Sequence, residues 1–390
     1  MNTQASTILN WLHGQQDSML RMLEDLVRCE SPSSDRQSQD QALAHLMTWL
    51  HPLDLHTFRS PGRQTGGWMM ARPRLRTRGQ PVQLMLGHID TVWPAGTLAN
   101  RPIHRTRDEW HGPGAFDMKA GLVQMGFALQ AIRHHGWALP ALPVLLVNAD
   151  EEIGSRESTP AIRRLARIAS RAFVLEPPLG PQGRLKTARK GIGRFTLVIR
   201  GKAAHAGLDP ELGTSAIVEL STQIQKLFAM NDPQKGITVN VGMIEGGVSP
   251  NVIAPESKAI VDVRVLHQED GEQVTRQILG LQASQPGIVL EISGGIGRPP
   301  MERTTRNQAL WQIARQAGRD LGLDLEESTA GGGSDGNTTS QYTATLDGMG
   351  TTGDGAHADH EHILIHSLPE RTALLTMMLL HPLEPENPAR

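Results

Sequence analysis

Five short motifs bearing acids and histidines follow one another along the chain. They are G-H-I-D at 87–90, G-A-F-D at 114–117, D-E-E at 150–152, L-E-P at 175–177 and G-A-H-A-D-H-E at 355–361. Between them they offer two imidazoles and three carboxylates as metal ligands, with two more carboxylates alongside. That set suffices for two divalent cations and leaves one carboxylate to move a proton. Asp117, Glu152 and Glu176 carry −3, and a bridging hydroxide adds −1, so two divalent cations make the cluster neutral. Two ions ~3.5–4 Å apart can polarise a carbonyl and activate a water at neutral pH. Imidazole with carboxylate suits zinc, with cobalt or manganese as alternatives.

Each motif alone also has a plainer reading. His88 and Asp90 are two apart at a strand end, so they share a side of the strand. Asp90 could then accept the second N–H of a ligating imidazole, or His88 could be a surface residue near a turn. Asp117 follows Gly112-Pro113-Gly114 and precedes an apolar helical repeat, which suits a helix cap as well as a carboxylate bridging two ions. Glu151 and Glu152 follow a strand of buried type, so one could ligate while the other acts as a base. Glu176, between Leu175 and Pro177, is unexpected at a buried strand end unless a cation meets it. His357 lies in a Gly-rich run with His360 and His362 nearby, and the residues alone leave open which histidine serves.

The elements that must carry these residues are legible as patterns. Val82–Leu86, Pro143–Asn148 and Ala172–Leu175 are short apolar runs that predict buried strands ending at His88, Asp150 and Glu176. Met118, Leu122, Met125, Leu129 and Ile132 mark one face of a helix. Strands alternating with helices predict an α/β fold with a mostly parallel sheet flanked by helices, whose sites lie beyond the strand C-termini. Residues 4–28 predict one helix and 37–50 another, and the basic stretch Arg72 to Arg78 predicts a solvated hairpin turn. From about residue 190 the order becomes β-α-β-β-α-β, the ferredoxin-like arrangement, with Leu212, Ala216, Leu220, Ile224 and Leu227 on one helix face. The expected division is a catalytic domain at 1–188 and 299–390, interrupted by a ferredoxin-like α+β domain at 189–298. Pro382 to Arg390 is expected to be a loose tail.

Composition narrows the function classes. The 390 residues carry a net charge of −2 and only 4% aromatics, which argues against nucleic acid and against an anionic membrane as partners. Cys29 is the single cysteine, so internal disulfides are excluded and any metal must be held by His, Asp and Glu. There is no basic-then-apolar leader pattern and no apolar run of spanning length, so the expected location is cytoplasmic.

Taken together, G-H-I-D-T-V, G-P-G-A-F-D-M-K-A-G, D-E-E-I-G-S, L-E-P, G-K-A-A-H-A-G and G-G-G-S-D-G resemble the two-zinc aminoacylase, acetylornithine deacetylase and glutamate carboxypeptidase superfamily. The likeness runs from about residue 80 to 380 and is nearest to the bacterial glutamate carboxypeptidase branch. The resemblance implies two zinc ions, one on His88 and Glu176 and one on Glu152 and His357, with Asp117 bridging. It implies Glu151 as general base and acid, and Asp90 as the group orienting His88. It makes the insert a lid and dimerisation domain of a homodimer, in which His205 helps polarise the substrate carbonyl in a neighbouring active site. Asn251 and Arg264 match residues that hold a substrate carboxylate, and Gly332 and Gly333 shape the pocket floor. After His357 the chain departs from the usual pattern, because His360 and His362 are extra. Alignment on Glu361 selects His357.

The implied activity is hydrolysis of an amide bond next to a free carboxylate, with release of a C-terminal glutamate or similar amino acid. The alternatives are an N-acyl-amino-acid deacylase of the acetylornithine or acetylcitrulline type, and a non-catalytic binder of peptides or amino acids. The expected partner in each case is a small acyl amino acid or short peptide.

Overall fold

The computed structural model describes residues 3–383, and the expectation of a loose tail falls mainly on residues outside that range. The strands run β1 Leu55–Ser60, β2 Trp68–Pro73, β3 Val82–His88, β4 His104–Arg105, β5 Glu109–His111, β6 Leu142–Asn148, β7 Ala169–Val174 and β8 Leu185–Arg189. They continue as β9 Gly191–Arg200, β10 Thr238–Gly246, β11 Glu256–Val265, β12 Val289–Arg298, β13 Glu327–Ala330, β14 Ala344–Leu346, β15 Gly353–Asp354 and β16 His362–Leu364. The chain divides into two compact units. Of the described residues, one comprises 3–187, 303–329 and 334–383, and the other 188–302 with 330–333.

The first unit is built on a six-stranded sheet in the order β1-β2-β6-β3-β7-β14. β6, β3, β7 and β14 pair in parallel, and β1 and β2 add an antiparallel edge. Parallel strands must be covered on both faces, and successive residues here do face opposite cores. Met85, Leu145, Val147 and Phe173 enter one apolar cluster, and Leu84, Leu86, Leu146, Ala172 and Val174 another. The long helix that precedes β6 in the connection from β3, Ala120–His134, belongs to the first cluster, whereas Ile162 of the helix after β6, Thr159–Ala166, belongs to the second. Outgoing connections thus leave neighbouring strands on opposite faces, which opens a crevice beyond their C-termini. Gly121 lets the first helix approach β7 closely, since a Cβ there would lie 2.3 Å from the Leu175 carbonyl oxygen.

A smaller antiparallel sheet, in the order β15-β16-β5-β4, also belongs to this unit. In the second unit β10-β11-β9-β12 is wholly antiparallel, with helices Ala216–Phe228 and Gln268–Leu279 contributing to one core. In chain order this is 4-1-3-2 read from β12, the ferredoxin-like topology. Among the described residues no helix is long and apolar enough to cross a membrane.

Several local expectations are corrected. Residues 4–28 form two helices, Thr3–Gly14 and Gln16–Arg28, because the backbone at Gln15 interrupts a stretch whose apolar spacing reads as continuous. Leu212 stands in a separate Pro210–Leu212 turn and is 56% exposed, so it does not share the core face of the following helix. The Arg72–Arg78 stretch is solvent-facing from Arg74 onward but is no hairpin, since β2 and β3 are separated by β6.

Candidate metal centre

Because β6, β3 and β7 are adjacent and parallel, the residues just past their ends share one edge of the sheet. His88 closes β3, Glu151 and Glu152 follow β6, and Glu176 follows β7. The two other contributors come from loops. Gly114, at φ +77, turns the chain into the irregular segment Ala115–Lys119, and extended backbone at Asp117 (φ −115, ψ 96) directs its carboxylate towards this edge. His357 lies between β15 and β16 with φ +61, a left-handed conformation that costs a non-glycine residue about 1–3 kcal/mol.

These residues meet in two groups joined at one carboxylate. His88, Asp117 and Glu176 form the first, and Asp117, Glu152 and His357 the second. His88 Nε2 is 3.3 Å from Asp117 Oδ1 and 3.5 Å from Glu176 Oε1. His357 Nε2 is 3.4 Å from Asp117 Oδ2 and 3.1 Å from Glu152 Oε2. Asp117 therefore turns one oxygen to each imidazole. Its Oδ1 is buried without a hydrogen-bond partner, and the helix that follows has no side-chain cap, so the capping reading fails. A buried carboxylate oxygen facing an imidazole nitrogen with no donor of its own fits a cation, and the imidazole–carboxylate donor set fits a borderline divalent metal.

The electrostatics show the same demand for positive charge. Burial opposes a charged His88, but the Asp117, Asp90 and Glu176 carboxylates outweigh it and raise its pKa well above the usual value. Hydrogen bonds to Asp117 and Glu152 push His357 up to about 10. Burial raises Glu152, and alone would raise Asp117, but the two imidazoles hold Asp117 below the usual carboxylate range.

Asp90 organises this edge. His88 Nδ1 donates to the Asp90 backbone carbonyl at 2.9 Å, and the carboxylate Oδ1 is farther, at 3.4 Å. The expected carboxylate–imidazole pairing is thus shared with the main chain, and a carbonyl can only accept, so Nε2 is left facing Asp117 and Glu176. The Asp90 carboxylate also accepts the backbone N–H groups of Glu151 and Glu152, both at 3.2 Å, and the Ser33 hydroxyl at 2.8 Å. It therefore fixes the backbone from which both glutamates project.

Residues that lie within the motifs but were given no supporting role from sequence complete the frame. Glu361 is 3% exposed and accepts from the N–H groups of Gly114 (2.8 Å), Phe116 (3.0 Å) and Asp117 (3.1 Å), and from Trp93 Nε1 (2.7 Å). It locks the His357 loop to the Asp117 segment and offsets the backbone strain at His357. Lys119 is buried, and its Nζ donates to the Leu26 and Cys29 carbonyls, which ties the same segment to the helix Gln16–Arg28. Burial lowers its pKa to about 8. Asp335, from the G-G-G-S-D-G motif, accepts from Asn148 Nδ2 at 2.7 Å and from the Ser155 hydroxyl, anchoring the loop after Glu152. In the sequence Glu361 marked the alignment that selects His357, and nothing there signalled its clamping contacts.

Glu361→Gln sets an amide NH2 against backbone donors and is expected to weaken metal retention by ~10–100-fold, the usual cost of losing an outer partner. Competition with a chelating dye measures it. Unchanged affinity would show that this anchor is dispensable.

The remaining candidates lie in the second unit. His205 Nδ1 accepts from the N–H groups of Gly207 and Leu208, both at 3.1 Å, so its proton resides on Nε2. Ala206 N–H donates to the Asn251 carbonyl, and His205 bridges Val252, so His205 and Asn251 are held side by side. Arg264 makes two hydrogen bonds to Asp262, two residues away on β11, at 2.7 and 3.1 Å. The carbonyls of Gly332 and Gly333 accept from Arg189. His360 is exposed, 3.9 Å from Asp354, and His362 faces Glu109 and His111.

A mostly parallel α/β sheet with imidazoles and carboxylates gathered at its C-terminal edge defines a metallohydrolase. The chain belongs to peptidase family M20/M25/M40, whose model matches residues 84–381. It is 28% identical over 380 residues to carboxypeptidase G2 of Pseudomonas sp. (strain RS-16), covering 94% of this chain and 89% of that protein. Among solved structures, aminopeptidase PepT from Bacillus cereus matches with a TM-score of 0.80 at 21% identity, covering 93% of this chain and 98% of that one. YXEP of Bacillus subtilis, a dinuclear metal-binding M20 peptidase, matches at 0.69 and 17% identity, covering 94% and 98%. The chain shares their fold.

Proposed function

We propose that this hydrolase cleaves an amide bond adjacent to a free carboxylate, as a carboxypeptidase releasing glutamate or a similar amino acid. The observation that carries the reading is the pair of donor groups joined at Asp117, with the Glu151–Glu152 backbone fastened to Asp90. His88 and Glu176 would hold one divalent ion, Glu152 and His357 the other, and Asp117 both, with zinc the best match to the donors. Bound there, the ions would polarise the amide carbonyl and acidify a water.

The chain's own residues do the rest. The Glu151 carboxylate takes a proton from the attacking water and returns it to the leaving nitrogen. Asp90 orients His88 and the Glu151 backbone. The Nε2–H of His205, supplied by a second copy of the chain, donates to the developing oxyanion. Arg264 and Asn251 bind the substrate carboxylate. The Arg264 fork suits that task, and Asp262 keeps it extended along β11 until substrate shares it. Gly332 and Gly333, held by Arg189, line the floor.

Homodimerisation through the second unit is supported by β10, an edge strand with Met243 and Ile244 57% and 63% exposed. Light scattering is expected to give a dimer. A monomer that retains full activity would remove His205 from the partner's site.

The activity is tested on metal-reconstituted protein with acyl-glutamates, dipeptides, N-acetyl-ornithine and N-acetyl-citrulline. Preferred turnover of acyl-glutamates or of dipeptides ending in an acidic residue is expected. Turnover confined to the N-acetyl compounds would replace this reading with deacylation.

A further inference from the structure

We propose that Glu109, His111 and His362 form a second, separate binding site for a single divalent metal ion on the small four-stranded sheet. These residues take no part in the two groups joined at Asp117. Their donor atoms all lie within 4.8 Å of one another, on paired strands. His362 stands opposite His111 across β16 and β5, and Glu109 precedes His111 by two residues on the same face of β5. Glu109 Oε2 is 2.9 Å from His111 Nε2, and Glu109 Oε1 is 3.7 Å from His362 Nε2. Around a tetrahedral zinc, with bonds of ~2.0–2.1 Å, donor atoms stand roughly 3.4 Å apart, between those two distances.

The tautomer of His362 points the same way. Its Nδ1 lies 2.9 Å from the His360 carbonyl oxygen, which can only accept, so the proton is on Nδ1. In the neutral ring Nε2 then turns a lone pair towards the Glu109 carboxylate, and an ion between these two acceptors would satisfy both. A backbone carbonyl on the far nitrogen is the usual way a ligating histidine is aimed. On the other side, the His104 ring stacks on His111 with centroids 4.1 Å apart and holds it in plane. Side-chain exposures of 39%, 17% and 15% for Glu109, His111 and His362 leave an entry for the ion while sheltering both imidazoles.

Two imidazoles and one carboxylate, with remaining positions open to water, suit Zn2+, Ni2+ or Cu2+ rather than Ca2+ or Mg2+. The ion would clip β5 to β16. β5 runs directly into the segment bearing Asp117, and β16 directly follows the loop bearing His357 and Glu361. The backbone link between the two continues past the strands, from Gly112 N–H to the Glu361 carbonyl.

The test uses the full chain, stripped of metal, equilibrated with excess Zn2+ and freed of unbound ion, with metal per chain measured by elemental analysis. Wild type is expected to hold one more zinc than His111→Gln/His362→Gln, and His360→Gln should match wild type. Circular dichroism checks that the double variant folds, and Glu109→Gln gives a second readout that spares both imidazoles. Asp117→Asn separates this site from the proposed catalytic centre. It should lower the count without abolishing the difference made by His111→Gln/His362→Gln. Equal zinc in wild type, the double histidine variant and Glu109→Gln would overturn the proposal, whatever the Asp117 variant shows.

Discussion

Glu151→Gln is expected to lower kcat by ~10²–10⁴-fold, the range over which a positioned acid–base group contributes. Metal content should stay at the wild-type value and KM should move little. Glu151 belongs to neither donor group, so its side chain is not needed to hold an ion. Its place depends on its backbone N–H, held by Asp90 Oδ1, and that contact survives a change of side chain. Glutamine keeps the shape and removes the ability to take a proton. A loss confined to kcat marks an interaction used in the transition state and not in the ground state. Steady-state kinetics with metal analysis of the same sample decides it, and a variant retaining more than about a tenth of wild-type kcat would take the proton-transfer role from Glu151.

Asp117→Asn is expected to have the second large effect, through metal and not through proton transfer. Only Asp117 belongs to both donor groups, with one oxygen towards each imidazole. Asparagine keeps one oxygen and turns an NH2 towards the other side, where it repels a cation. Metal affinity should fall by more than the ~10–100-fold that losing an outer partner costs. Activity should fall with it, and the rise in Tm that metal confers on wild type should shrink, since stabilisation follows RT ln(1 + [L]/Kd). Calorimetry with and without Zn2+ measures this. A variant that keeps wild-type metal content and the full rise in Tm would show that Asp117 does not bridge.

Much of the framework was legible because it is local. Apolar runs bounded by acids located β3, β6 and β7, and the helical spacing from Met118 to Ile132 located the helix that follows Asp117. The β-α-β-β-α-β order was enough to anticipate the antiparallel sheet of the second unit. The misreadings arose where a local pattern continues across a break. Ile8, Leu12, Met19 and Leu23 are compatible with one helix, and only the backbone at Gln15 divides them. Leu212 fits the face of the next helix by count, yet it precedes that helix in a turn of its own.

Residue type, order and strand-end address were determined by the sequence alone, because strand and helix periodicity depend on near neighbours. The tertiary structure decided which oxygen faces which nitrogen. It separated His357, which meets Asp117 and Glu152, from His362, which meets Glu109 and His111. It also showed Glu361 to be the clamp that joins the two loops. Those choices depend on contacts such as Glu151 to Asp90 across 61 residues and Glu361 to Trp93 across 268. Contacts of that span are set by how sheets and loops close in space, and local spacing carries no record of them.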